Sequence, residues 1–225
     1  MYLAIETSGM ICSAALLDGA RCVRSFADCE SQQHARQLPL FVEQLLAFSR
    51  EEGVSIEAVA LSQGPGSYTG LRIGTATAKG LCYGLGVPMI AIDTLQLMAY
   101  SALKQLSTLN SQLRLCPMID ARRMEVYTAL YDLDLQRISD VEAKVIDASF
   151  QVEKTTCFFG DGAAKCKEIV TSPNAVFLDG INPLASEMGE LAEKAYNNNQ
   201  FADVAYFDPF YLKEFQATVA KNKVF

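Results

Sequence analysis

The sequence predicts an α/β protein of two halves, each a mixed sheet with helices on its faces. Three observations carry this. The chain opens with three extended apolar runs, it then alternates strand with helix, and its second half repeats the order of the first. Tyr2 to Ile5 is apolar and ends in Glu6-Thr7-Ser8-Gly9. Ile11 to Leu17 is the second run, closed by Asp18-Gly19, and Ala20 to Phe26 is the third. Asp-Gly between extended runs marks a tight hairpin, because the primed turn needs positive φ. Leu38, Phe41, Val42, Leu45 and Leu46 then recur at helical spacing, with Pro39 near the start and Gly53 past the end. Ala58 to Leu61 is a short buried strand. Gln63 to Gly70 is a glycine-rich turn, Leu71 to Leu85 a long helix and Val87 to Ile92 a further strand.

Ser101 to Gln112 is polar and reads as the link between the halves. Leu113 to Asp120 is a strand ending in Asp120-Ala121-Arg122-Arg123, followed by strands at Val126 to Tyr131 and Val141 to Ile146. Thr156 to Phe159 leads through Gly160-Asp161-Gly162-Ala163-Ala164 into a helix from Lys165 to Val170. A strand at Ala175 to Leu178 and a helix at Leu184 to Tyr196 complete the order. No residue-level repeat accompanies the repeated pattern.

At 225 residues the chain is one large domain or two small ones. Nineteen Lys and Arg against 26 Asp and Glu give a net charge of −7, which repels a phosphate backbone at long range. A general nucleic-acid binder is therefore not expected, although a local basic patch is compatible with that balance. No apolar run approaches the ~20 residues of a membrane span. Glu6 interrupts the first apolar stretch and no basic lead precedes it, unlike a signal peptide. Seven Cys at irregular spacing, with no C-x-x-C pair, suit free thiols in a reducing cytoplasm. Cys12, Cys22 and Cys29 lie on or just after successive strands, where packing explains them. A single His excludes any two-His metal site.

The segment Gly64-Pro65-Gly66-Ser67-Tyr68-Thr69-Gly70 turns a strand into a helix N-terminus, where backbone N–H groups could cradle an anion or nucleotide phosphate. It has neither the Lys of a Walker loop nor the third Gly of the dinucleotide fingerprint, and close helix–sheet packing explains it equally. Glu6-Thr7-Ser8 and Asp120-Ala121-Arg122 end strands at a cleft edge. Their carboxylates could face each other across Mg²⁺, or each could simply cap its own turn. His34 reads as a solvated or capping residue. Ala76, Gly80 and Gly84 are four apart on one helix, a spacing that lets another helix or its own sheet approach closely. Lys79 and Tyr83 beside the stripe place part of that face near the surface.

Glu6-Thr7-Ser8, Gly64 to Gly74, Asp120 to Tyr127, Phe159 to Ala163 and Pro209 to Lys213 together resemble the bacterial TsaB (YeaZ) family, over nearly the whole chain. The resemblance implies the duplicated actin/Hsp70/sugar-kinase-like (RNase H-like) fold, with two βββαβα-type halves at 1–104 and 105–225, the second carrying a C-terminal helix and tail. It implies a non-catalytic, cytoplasmic subunit that binds its paralogue TsaD, with the ATPase TsaE joining the pair. The complex transfers a threonylcarbamoyl group to the adenosine beside the tRNA anticodon. By this matching, Thr94 and Met98 stand where TsaD has its two metal-binding His, and neither replaces imidazole. So no catalytic residue and no metal are expected, and ATP or ADP only at the heterodimer junction. The partner surface is expected at Leu38, Phe41, Val42, Leu45, Ala76, Gly80, Tyr83 and Gly84, two helices that could join a matching pair as a four-helix bundle. The same patch could pair with itself, so homodimers are expected without TsaD; tRNA contact would be indirect. The alternative is a small ATP-dependent kinase or phosphotransferase of this fold. A peptidase would need a metal or nucleophile pair that the sequence lacks.

Overall fold

The computed structural model describes residues 1–30, 33–106 and 112–213. Strands β1 (Tyr2–Glu6), β2 (Cys12–Asp18) and β3 (Arg21–Asp28) form an antiparallel meander. Gly19 takes φ +57° in the turn that pairs Asp18 with Arg21, as the Asp-Gly motif predicts. Helix α1 (His34–Glu51), β4 (Ala58–Gly64), α2 (Tyr68–Leu85), β5 (Met89–Asp93) and α3 (Thr94–Gln105) follow. β4 and β5 join β1 in parallel, giving the sheet order β3-β2-β1-β4-β5.

The second half holds β6 (Arg114–Asp120), β7 (Glu125–Thr128), β8 (Glu142–Val145), β9 (Thr156–Phe159), α4 (Asp161–Ala164), β10 (Ala175–Leu178) and, after a 3₁₀ turn at Ala185–Glu187, α5 (Gly189–Asn197). Its sheet runs β10-β9-β6-β7-β8, the first order read from the other edge. The duplicated α/β fold is therefore as expected, although among the described residues no counterpart of α1 stands between β8 and β9.

Alternation along the central strands decides what each face receives. Leu3 and Ile5 of β1 face Leu38, Val42 and Leu45 of α1 and Ala78 and Cys82 of α2. Tyr2 and Ala4 face the other way, onto Ala185, Met188 and Ala192 from the end of the chain. In the second sheet, Leu115 and Ile119 pack on Leu95, Met98, Ala99 and Ala102 of α3. Cys116 and Met118 point to the opposite face with Ala163, Cys166 and Val170. The two halves thus exchange helices: α3 follows the first sheet and covers the second, while α5 follows the second and covers the first.

Several boundaries differ from the sequence reading. Ser101 to Gln112 is not simply a polar link. Ser101 and Ala102 are buried in α3, where the Ser101 hydroxyl donates to Leu97 O at 3.1 Å, and 107–111 lie outside the described residues. The helix expected from Lys165 to Val170 is instead a short helix at Asp161–Ala164, capped by Gly160, followed by turns closed by three-residue bonds such as Cys166 N to Ala163 O and Ile169 N to Cys166 O. The strand expected to Tyr131 stops at Thr128, and Tyr131 returns to pair with Leu115 through a single bridge.

Candidate functional site

The glycine loop is a joint between β1 and α2. Ser67 N donates to Ser8 O at 2.7 Å, and the Thr7 hydroxyl donates to Gly70 O at 2.8 Å. Ser67 caps α2 by accepting from Gly70 N. A Cβ at Gly66 would overlap Ser8 O, one at Gly70 would overlap Thr7 O, and one at Gly74 would overlap the Thr7 hydroxyl. Gly64 takes φ +108°, donates its N–H to the Thr94 hydroxyl at 3.1 Å, and lies against Phe210 O. The tail then covers the loop: Phe210 N donates to Gln63 O at 2.7 Å and Tyr211 lies on Tyr68 with ring centroids 4.8 Å apart. Backbone proximity therefore explains Gly64, Gly66 and Gly70 without a ligand, while Ser67 and Thr69 stay exposed.

The two acidic turns cap themselves. Glu6 is wholly buried, and its Oε1 accepts from Ser8 N and from the Ser8 hydroxyl, both at 2.5 Å. Its Oε2 makes no hydrogen bond of normal geometry among the described residues. Burial pushes this carboxyl up from its ordinary value, against the weaker downward pull of Ser62, Ser8 and Gly9. Asp120 accepts from Arg122 N at 2.7 Å and pairs with Lys165. Glu6 is held by its own turn inside the core, whereas Asp120 is exposed and paired with Lys165. Among the described residues no three His, Cys, Asp or Glu side chains converge as metal ligands. Between the halves, Gly9, Met10, Ile11, Met98, Ile119, Asp161, Asn182 and Pro183 enclose a cavity of about 10 Å³, room for about one water.

Thr94 and Met98 have structural work here. The Thr94 hydroxyl accepts from Gly64 N, and buried Met98 meets Gly160. His34 is neither solvated nor the helix cap. It is nearly buried, with Nε2 3.1 Å from Gly9 O, and ties α1 to the β1–β2 turn. Cys12 is buried, and its thiol is pushed up to about 12 by desolvation, then by the charges of Asp28 and Glu6. Cys22 and Cys29 are exposed.

The helical face divides. Leu38, Val42 and Leu45 are turned into the core, so they can support an interface only from beneath. Their 3.6-residue spacing marks the buried stripe of α1, which is why a periodicity search selects them. Phe41 is half-buried and stacks on Phe26. On α2 the expected stripe faces outward: Ala76, Gly80 and Gly84 are exposed, and nothing lies within 4 Å of a Cβ built at either glycine. Tyr83 is 90% exposed, with Leu85 at 43% and Leu40 of α1 at 46%. Leu40 lay off the apolar period and was missed.

A family model described as "TsaD: tRNA N6-adenosine threonylcarbamoyltransferase" matches residues 28–221. The Escherichia coli protein named tRNA threonylcarbamoyladenosine biosynthesis protein TsaB is 32% identical over 221 residues, 94% of each chain. Its namesake from Haemophilus influenzae is 29% identical over 224 residues, 94% of this chain and 92% of that one. A Pseudomonas aeruginosa crystal structure, described as an uncharacterized protein with similarity to peptidase YEAZ, superposes with a TM-score of 0.78 at 26% identity, covering 94% of this chain and 99% of that one.

Proposed function

This chain belongs to the TsaB (YeaZ) family of tRNA threonylcarbamoyladenosine biosynthesis proteins, and from that premise we propose that it serves as a non-catalytic subunit that binds TsaD. The observation that carries the reading is the uncovered face of α2, where Ala76, Gly80 and Gly84 leave a groove beside exposed Tyr83 and Leu85. A helix pair from TsaD would fill it, with residues from α1 and α2 on this side. Such an interface needs more than about 1,000 Å² in total. The same face would pair with itself in a homodimer that competes with TsaD, and TsaE would join the heterodimer in the cytoplasm. Contact with tRNA runs mainly through the partner, and any ATP or ADP sits at the heterodimer junction.

Catalysis by this chain is disfavoured on chemical grounds. Thr94 and Met98 are committed to packing and to the glycine loop, and neither is a ligand to match imidazole. The kinase reading is weakened by the glycine loop, which carries no Walker Lys and whose glycines are explained by close contact with Ser8 O, Thr7 O and Phe210 O. Light scattering on untagged chain mixed with TsaD tests the proposal: one-to-one complexes are expected, and separate elution rejects it. Titration with ATP and Mg²⁺ should leave the melting temperature of the chain alone unchanged. Low-micromolar ATP affinity would restore the kinase reading.

A further inference from the structure

The turn from β6 to β7 places two consecutive arginines where the backbone penalises them. Arg122 has φ +72° and Arg123 φ +52°, the left-handed region that favours Gly or Asn. Strand pairing holds them there: Ala121 N donates to Glu125 O at 3.0 Å, Glu125 N to Arg122 O at 3.2 Å, and Arg122 N to the Asp120 carboxylate. Both side chains are exposed. The neighbouring carboxylates are already engaged, Asp120 with Lys165 and Glu125 with Lys213, and Asp161 accepts from Asp120 N at 2.9 Å. Among the described residues neither Arg122 nor Arg123 has an ion-pair partner. Two exposed guanidinium groups, without an ion-pair partner among the described residues, thus project from this turn on a chain of net charge −7. Half-buried Tyr127 stands among the charges of Lys213, Glu125 and Arg122.

We propose that the Arg122-Arg123 turn is a contact point for the phosphate backbone of a folded RNA, the tRNA substrate of the complex, with Tyr127 as a flanking surface for a sugar or base. The inference rests on the functional reading above. It adds a direct RNA contact to a subunit otherwise joined to tRNA through its partner. Guanidinium forks match phosphate oxygens in bidentate geometry. A rigid turn presents both without ordering a loop on binding. The chain as a whole carries a net charge of −7, which opposes general RNA affinity and favours a local contact.

The test measures tRNA-transcript binding by fluorescence anisotropy across salt, using the full chain alone and its preformed complex with TsaD. Arg122→Asn/Arg123→Asn removes both charges with residues that tolerate this backbone, and Arg122→Gly/Arg123→Gly does so with the least strain. Arg21→Ala/Arg50→Ala removes two charges elsewhere, and melting curves accompany every variant. Either turn variant should weaken binding several-fold and lower the slope of log K against log salt by about 1.5, the share of two phosphate contacts. Arg122→Lys/Arg123→Lys should retain most of the slope, and the remote pair should change little. Unchanged affinity and slope in folded turn variants overturn the proposal while the TsaD complex still stands. Absence of a TsaD complex rejects the functional reading itself, and the chain alone then decides the turn. Wild-type protein that binds no tRNA in either form overturns the turn as well.

Discussion

In the first half, the outer face of the sheet lies under two helices of 18 residues each, whereas the matching face of the second half has only the four-residue α4 and turns. The space that α1 would occupy remains in part as a cavity of about 290 Å³, floored by Cys116, Met118, Thr128 and Phe158 and rimmed by Arg114, Glu142, Lys144 and Lys154. Yet the junctions beneath are alike. β4 ends in Gly64 at φ +108°, and Gly160 directly after β9 takes φ +97°. Two residues on, Gly66 meets Ser8 O of the first half, and Gly162 meets the backbone of Met118 and Ile119 in the second. Strand order and strand–helix junctions are fixed by backbone packing and so survive in both halves. The helices that cover them do not, and the half with surplus helix is the one with an uncovered helical face.

That comparison breaks most visibly at the junctions. Gly66→Val should cost at least ~3 kcal/mol, the upper range for overpacking, because its Cβ enters Ser8 O. Urea unfolding measures this, and Gly162→Val should behave alike. If one junction tolerates the change, the halves are not equivalent there. The next effect lies where the halves meet. Asp93 caps α3 by accepting from Gln96 N at 2.9 Å and accepts from the Tyr131 hydroxyl at 3.1 Å. Asp93→Ala removes the cap and orphans a buried hydroxyl, so about 2 kcal/mol should be lost. Tyr131→Phe combined with it should recover part of that loss in a double-mutant cycle.

Glu6 gives a subtler, pH-dependent contrast. Its carboxyl is held above the usual range by burial. Its neutral form therefore favours the fold below the unfolded value of about 4.5, and that advantage is lost as pH rises through the raised folded value. Asp120, with no counterpart burial, sits beside Lys165. Melting temperatures between pH 4 and pH 8 should fall for the parent relative to Glu6→Gln, whose amide oxygen still accepts from Ser8. Parallel curves would refute this. The smallest effect is a gain: Gly80→Ala in exposed α2 should add roughly 0.5–1 kcal/mol, since the added methyl meets nothing within the chain.

Much of this fold was legible in the sequence because strands and glycine turns are local. Tyr2 to Ile5, Thr156 to Phe159 and Ala175 to Leu178 read directly, as did the Asp18-Gly19 hairpin. Helix α3 was hidden because Leu95, Met98, Ala99 and Ala102 pack on the other half's sheet, beyond any local pattern. For the same reason Leu184 to Tyr196 read as a helix without revealing that it covers the first sheet. The outward stripe at Ala76, Gly80 and Gly84 was visible from small residues four apart. On α1 the same kind of spacing picked out Leu38, Val42 and Leu45, the residues the core consumes. Periodicity finds the buried side of an amphipathic helix, and an interface on the other side leaves no such mark. The burial of the Glu6 carboxyl and the left-handed Arg122 and Arg123 are facts of geometry that spacing does not carry.

The most direct measurement pairs Gly84→Leu with the parent chain, recording a melting curve and co-elution with TsaD. Nothing within the chain lies within 4 Å of a Cβ at Gly84, so the melting temperature should not fall. A leucine there should hold the partner's helix away and abolish co-elution. A variant that keeps its melting temperature and still elutes one-to-one with TsaD would contradict the account, because the partner surface would then lie elsewhere.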